Sequence, residues 1–426
     1  MTTRTTTEQN ATLTDEHTRI KNVCRFIEQY ATAMLSAGAT TSRIERCVDR
    51  ISKRYNVVSD LSLLPSRILL TVWDQSHDHN YSLVGHTHKN GINLQTVTSL
   101  SRLSFDDIPL DDALKQMETI IARPRLNKWA VMLLTALANL SFCRLFNGDW
   151  YAMGVVFAAT LIGNVYKNYM IERHWDIRFT TIVAAYISAI VGSSCFIFDF
   201  GSTPETALGT SILWLVPGKI HQCNKRHDER SLRSVAKQDG RCGNHHDMPV
   251  VRSVSCITNI RYTMEINTLI TDGLFASMAA IGFGSINNTP KSLLPCCGII
   301  AAIGHATRFA LMNSSVHLNI IIAGFTGSIF IGIVSALASR HYRCPYEVLA
   351  FPALLPMIPG MYAYGTIQAL ISYLQTYSDG ILSEHYLNLL AYNASMTILI
   401  ILFMVVGALI GIFAASSVGV VGKKNM

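Results

Sequence analysis

Nine apolar stretches, at roughly 129–146, 150–171, 178–198, 205–217, 267–286, 293–312, 317–339, 346–370 and 390–415, limit what this 426-residue chain can fold into. The hydrocarbon core of a bilayer takes about 20 apolar residues in a helix, and most of the stretches approach that length. They are rich in Gly, Ala, Ser and Thr, which let membrane helices approach closely, so a packed bundle is expected in place of isolated anchors. With 50% hydrophobic against 15% charged residues, a disordered chain, a disulfide-stapled module and a wholly soluble enzyme all fit poorly. The predicted fold class is an α-helical polytopic membrane protein with about nine transmembrane helices and a small cytosolic α/β N-terminal domain.

The first 20 residues are polar and Thr-rich with no apolar core of a signal peptide, so the N-terminus is expected to stay in the cytosol, with 1–16 a disordered tail. The N-terminal domain is placed at 17–125. Helical spacing of Ile20, Val23, Phe26, Ile27, Tyr30, Ala31 and Met34 predicts a first helix stopped by Gly38. Ser42 with Glu45 reads as a capping box for a second, and 56–61, 66–74 and 80–84 suit strands. Helices at about 93–104 and 109–122 close the unit. The ten cysteines are read as reduced thiols or membrane filler. No Walker loop, GxSxG, HExxH or GxGxxG in strand-turn-helix context is present, so neither an enzyme nor a cofactor is expected. His86 and His88 read as surface histidines.

The first membrane half, 126–218, contains four stretches, and the second, 264–426, five. In each, the fourth runs into an apolar-apolar-Pro-Gly break, ending at Pro217-Gly218 and at Pro359-Gly360. Matching breaks in two halves point to a transporter's substrate site, because freed backbone groups are tolerated at membrane depth only where they line a cavity. Arg308 lies inside an apolar span, where charge is costly, with His305 one turn earlier on the same face. The pair reads as pathway groups, or as interfacial snorkelling for Arg308 and a structural hydrogen bond for His305. Tyr362 and Tyr364 follow the second break as pathway lining or aromatic belt. Asn393 joins the pathway candidates, though with Asn139 and Asn164 it reads first as interhelical hydrogen-bond glue. Asp149 and Trp150 read as a loop and interface anchor.

Between the halves, residues 219–263 hold nine Lys/Arg, four Asp/Glu, four His and three Cys with no periodicity. Most of the net charge of +7 therefore sits there, which removes the case for a nucleic-acid partner. Cys223, Cys242, His245, His246 and Cys256 lack the spacing of a zinc site.

The chain resembles the threonine/serine exporter family through Gly38-Ala39-Thr40-Thr41-Ser42-Arg43-Ile44-Glu45, Phe146-Asn147-Gly148-Asp149-Trp150, Leu215-Val216-Pro217-Gly218, Gly304-His305-Ala306-Thr307-Arg308 and Pro356 to Tyr364. The resemblance implies a cytosolic N-terminal domain and two five-helix membrane halves, ten helices in all. In some members the halves are separate proteins, similar to a two-subunit succinate exporter. It also implies a bacterial inner-membrane exporter of threonine, serine or a dicarboxylate. A membrane-anchored regulatory or assembly subunit and a non-functional fusion are the alternatives. The expected partners are the bilayer, the small-molecule substrate, and an intact copy of the other half or a homo-oligomer.

Residues 219–263 depart from the family, which places a loop and a fifth helix there. Without that helix, Arg340 to Arg343 and Lys423-Lys424 would land outside, against the basic-inside tendency. Synonymous codons for His221 to Arg230, read one base later, encode the family's loop, and the segment is expected to be translated out of frame.

Overall fold

The structure is a computed structural model that describes residues 2–64, 67–75, 80–87, 91–199, 201–215, 266–313, 318–377 and 380–423. His88, Pro217, Gly218, the whole of 219–263 and Lys424 lie outside the described residues, and with them the out-of-frame expectation.

The N-terminal domain is built on helix α1 (Thr2–Ser36), which carries Ile20, Phe26, Ile27, Tyr30 and Met34 fully buried in its core. The tail expected over 1–16 is helical from Thr2, since no Gly or Pro interrupts the stretch. The chain turns at Gly38 (φ 87°), where a left-handed backbone suits glycine, and enters α2 (Thr41–Arg54). The expected capping box does not form: Ser42 lies inside α2, and the N-cap is Thr40, whose side chain makes no cap bond. Strands β1 (Val58–Leu63), β2 (Arg67–Trp73) and β3 (Asn80–His86) pair as an antiparallel meander, so the domain mixes helices with an antiparallel sheet and has no βαβ unit. β2 alternates exposed with buried residues, placing Ile68, Leu70 and Val72 against α1. Helices α3 (Leu94–Leu103) and α4 (Leu110–Ala122) close the core. His86 is exposed at the end of β3.

The first membrane half consists of α5 (Lys128–Leu145), α6 (Trp150–Glu172), α7 (Ile177–Ile197) and the short α8 (Pro204–Ser211), which tightens into a 3-10 turn at Leu213–Leu215. The second consists of α9 (Ile266–Ile286), α10 (Leu294–Asn313), α11 (Ile320–His341), the short α12 (Tyr346–Leu354) with a 3-10 turn at Leu355–Met357, α13 (Gly360–Gln375) and α14 (Gly380–Lys423). Among the described residues, α7, α9, α10, α11 and α14 are long and apolar enough to cross a bilayer, and the bent α12–α13 pair makes a sixth. The nine spans expected are not reproduced on that measure. Helices α5 and α6 match in length but carry Asn139, Arg144, Asn164 and Lys167, and α8 has only 8 residues.

The halves repeat each other. In both, the short fourth helix packs on the first and second, and a left-handed residue turns the same corners: Asn147 (φ 61°) and Asn288 (φ 52°) after the first helix, Asp199 (φ 54°) and Arg343 (φ 49°) after the third. The repeat is inverted. Helices α5 and α9 pack side by side, and the Leu126 N–H, at the start of α5, donates to Asn288 Oδ1, at the end of α9, at 3.0 Å. Lys128 pairs with Glu172 at 2.8 Å, so α6 ends on that face. The N-terminal domain sits there too. Leu94 and Gln95 donate backbone N–H groups to the carbonyls of Asn287 and Asn288, Arg102 donates to the Tyr342 carbonyl at 2.8 Å, and Arg43 lies 3.8 Å from Glu347. Arg340 donates to the Ala415 carbonyl, so the end of α14 reaches the same face. Helices α8 and α9 both start on the opposite face, where Asp149 caps α6 through the Ala152 N–H and accepts from the Ser202 N–H and hydroxyl. Burial alone would raise the Asp149 carboxyl, but those N–H groups outweigh it and hold it below its ordinary value.

Candidate functional site

The two helix breaks are local consequences of sequence. Pro352 and Pro356 remove backbone donors and Pro359 cannot continue a helix, so α12 ends in a 3-10 turn and α13 restarts at Gly360 with a 50° bend. The Gly360 N–H donates to the Ile358 carbonyl at 2.8 Å, and the N–H groups of Met361 and Tyr362 after it have no helical acceptor inside the bundle, with the positive end of the dipole turned toward the break. In the first half α8 stops after two turns, and Asn139 of α5 donates to the Thr210 carbonyl (2.9 Å) and the Thr160 hydroxyl (2.7 Å). Asn139 thus ties three helices together where α8 unwinds. Asn164 is buried with its Nδ2 unpartnered among the described residues.

The broken helices meet. Leu213 of the first 3-10 turn and Ile358 of the second break join one apolar cluster with Phe142, Phe146, Phe283 and Leu355. A Cβ placed on Gly360 would lie 3.0 Å from Leu213 Cδ1, and one on Gly209 would lie 3.1 Å from the Tyr364 ring. Gly360 therefore sits directly against the first break, while Tyr364 packs on α8 near Glu205.

Beside this junction lies a cluster of ionisable groups. His305 Nδ1 sits 2.5 Å from Asp272 Oδ2, with the two side chains only 7% and 15% exposed. An ionised carboxylate can only accept, so with Asp272 ionised the donor in that bond is Nδ1–H. Arg308, one turn beyond His305, stands within electrostatic reach of Asp272 and of Tyr362 in the first turn of α13. Its Cβ packs on Gly327 of α11, and Met357 reaches the same spot from the break. Tyr362 faces Tyr392 of α14 with ring centroids 6.4 Å apart, and the Asn393 amide lies over Gly365.

The structure thus brings together His305, Arg308, Pro359, Gly360, Tyr362 and Asn393 from the candidates named on sequence, and sets Tyr364 of α13 apart, against α8. Asp272 and Tyr392 were missed. Asp272 is the single charged residue in Asn267–Ile286, and that isolation was the available signal. No group of three or more His, Cys, Asp or Glu side chains suited to a metal occurs among the described residues. One anion, one fixed cation and a titratable imidazole, surrounded by helices and adjoining a helix N-terminus, can bind a small charged solute.

Two family models match the chain. One described as a threonine/serine exporter covers residues 25–221, and a second, "Threonine/Serine exporter, ThrE", covers 272–416. The first stops and the second starts on either side of 222–271. A Haemophilus influenzae protein described as "Uncharacterized protein" is 36% identical over 112 residues, or 26% of this chain and 36% of that protein. The matched region spans about a third of that protein's length. No solved structure matches. The two exporter models account for both membrane halves and most of the N-terminal domain, so the chain belongs to the threonine/serine exporter family of membrane transporters.

Proposed function

We propose that the chain is a secondary exporter of threonine/serine-type amino acids in a bacterial cytoplasmic membrane, with the N-terminal domain in the cytosol. Transport works by alternating access around the place where the two broken helices meet. The observation that supports this most directly is the approach of Gly360 to Leu213, because inverted repeats with discontinuous helices touching near the midplane are the geometry of secondary transporters. Helices α5 and α6, at 18 and 23 residues, serve as spans in this reading despite their polar residues, which face other helices at Asn139 and Asn164. The basic stretch Arg340 to Arg343 shares the face of the N-terminal domain, as the basic-inside tendency asks of the cytosolic side.

The test is reconstitution in vesicles of this chain and of a version with the frame of 219–263 restored, followed by threonine, serine and succinate flux. Threonine or serine flux in either version supports the proposal. Succinate flux alone replaces the substrate class. Absence of all three in both versions favours a regulatory or assembly subunit. Sequencing the DNA that encodes 219–263 decides the frame separately.

A further inference from the structure

Three observations about the ionisable cluster go together. Asp272 bonds His305 through Oδ2, while Oδ1 has no hydrogen-bond partner among the described residues. Arg308 makes no hydrogen bond or ion pair within 4.0 Å among them. A carboxylate with an open oxygen and an unpaired guanidinium inside apolar helices are both costly unless something completes them.

Their placement defines what that something is. Asp272 stands on α9, His305 and Arg308 stand on α10, and Tyr362 opens α13, so the two charges come from different helices beside the break. The Arg308 guanidinium and the N-terminal N–H groups of α13 offer donors to a carboxylate, and the open oxygen of Asp272 offers an acceptor to an ammonium. With a neutral imidazole the side chains sum to zero charge. A dicarboxylate would bring two negative charges to a site that already holds one, whereas a zwitterion matches both ends.

We infer that Asp272 and Arg308 form a zwitterion-binding site, in which Asp272 receives the α-ammonium and Arg308 the α-carboxylate of an amino acid. His305 is a positioning residue that holds the Asp272 carboxylate in place. The inference rests on the export reading and adds the residues that select the substrate class.

The test is binding of L-threonine, of its analogue lacking the carboxylate and of its analogue lacking the ammonium, measured on the purified full chain. Asp272→Asn keeps the shape and removes the charge. It should weaken threonine and the amine analogue roughly ten- to a hundredfold and leave the ammonium-free analogue unchanged or tighter. Arg308→Gln should do the reverse, weakening threonine and the ammonium-free analogue and sparing the amine. Arg308→Lys, which keeps the charge, should recover part of the loss. Equal weakening of all three ligands by both variants, or unchanged threonine binding, overturns the inference. Threonine transport by the wild type alongside unaffected variants rejects this site alone. A wild type that neither binds nor moves threonine rejects the export reading with it.

Discussion

Placing a methyl group on Gly282 tests the contact between the two membrane halves. The Cβ of Gly282→Ala would stand 2.5 Å from Ala138 Cβ and would also overlap the Leu134 carbonyl oxygen. Carbon atoms in contact rest about 3.5–4.0 Å apart, so α5 and α9 must separate by roughly 1 Å or more along the crossing. Neither obstacle can swing aside, because one is a Cβ and the other is backbone. Overpacking of this kind costs about 1–3 kcal/mol, set against a gain of up to about 1 kcal/mol for replacing glycine inside a helix. Gly154→Ala provides the reference: it lies within α6 with no atom within 4 Å of its would-be Cβ, so it feels only the gain. The two variants should therefore differ by about 1–3 kcal/mol, roughly 5- to 150-fold in the unfolding equilibrium. Denaturant titration of the purified protein in bicelles measures the difference. Adding Ala138→Gly to Gly282→Ala should restore part of the loss and not all of it, because the Leu134 carbonyl remains. Equal stability of Gly282→Ala and Gly154→Ala would refute the close α5–α9 crossing.

Gly360→Leu should abolish amino-acid flux while leaving the protein in the membrane at near wild-type abundance, since the new side chain occupies the space between the breaks; flux with quantified protein checks it. Asp149→Asn keeps an oxygen that can cap α6 and removes only the charge, so it should lose about 0.3–1 kcal/mol near neutral pH. Because the folded carboxyl titrates below its ordinary value, its charge contributes stability above the unfolded carboxylate range, and that contribution fades as pH falls through the folded value. Wild type and variant melting curves should therefore converge in acid, and a gap constant with pH would reject the charge-based cap. Asn288→Ala removes bonds to Asn93 Oδ1 (2.6 Å) and to the Leu126 N–H, so hydrogen exchange at Leu94, Gln95 and Leu126 should quicken while the α11–α14 contact stays protected. Asn288→Gly should not rescue it, although glycine accepts the φ of 52°.

The elements with strong periodicity were legible in sequence. The strands of the N-terminal domain fell within two or three residues of their observed bounds because their β-branched runs are cut by Pro, Ser, Asp and Gly. Pro359 and Gly360 announced their break because a proline inside an apolar run has few other uses. The capping box at Ser42 failed because its pattern competes with the Gly38 turn, which sets where the chain re-enters a helix and so makes Thr40 the cap. Asp272 escaped for a different reason: its meaning lies in His305, 33 residues away on another helix, and no spacing rule reaches across helices. The polar residues of α5 and α6 are few and scattered, and the sequence does not say which of them, such as Asn139, bonds a neighbouring helix.

The N-terminal domain is covalently joined to the first membrane half, yet its described anchoring bonds run to the second, through Asn287, Asn288, Tyr342 and Glu347. It acts as a splint laid across the seam of the molecule. A splint of this kind relieves the connecting peptide of mechanical duty, so the two halves need not be one polypeptide to stay in register. Expressed as separate chains, 1–218 and 264–426 should co-purify, and removal of the domain should weaken that association while the direct α5–α9 crossing remains.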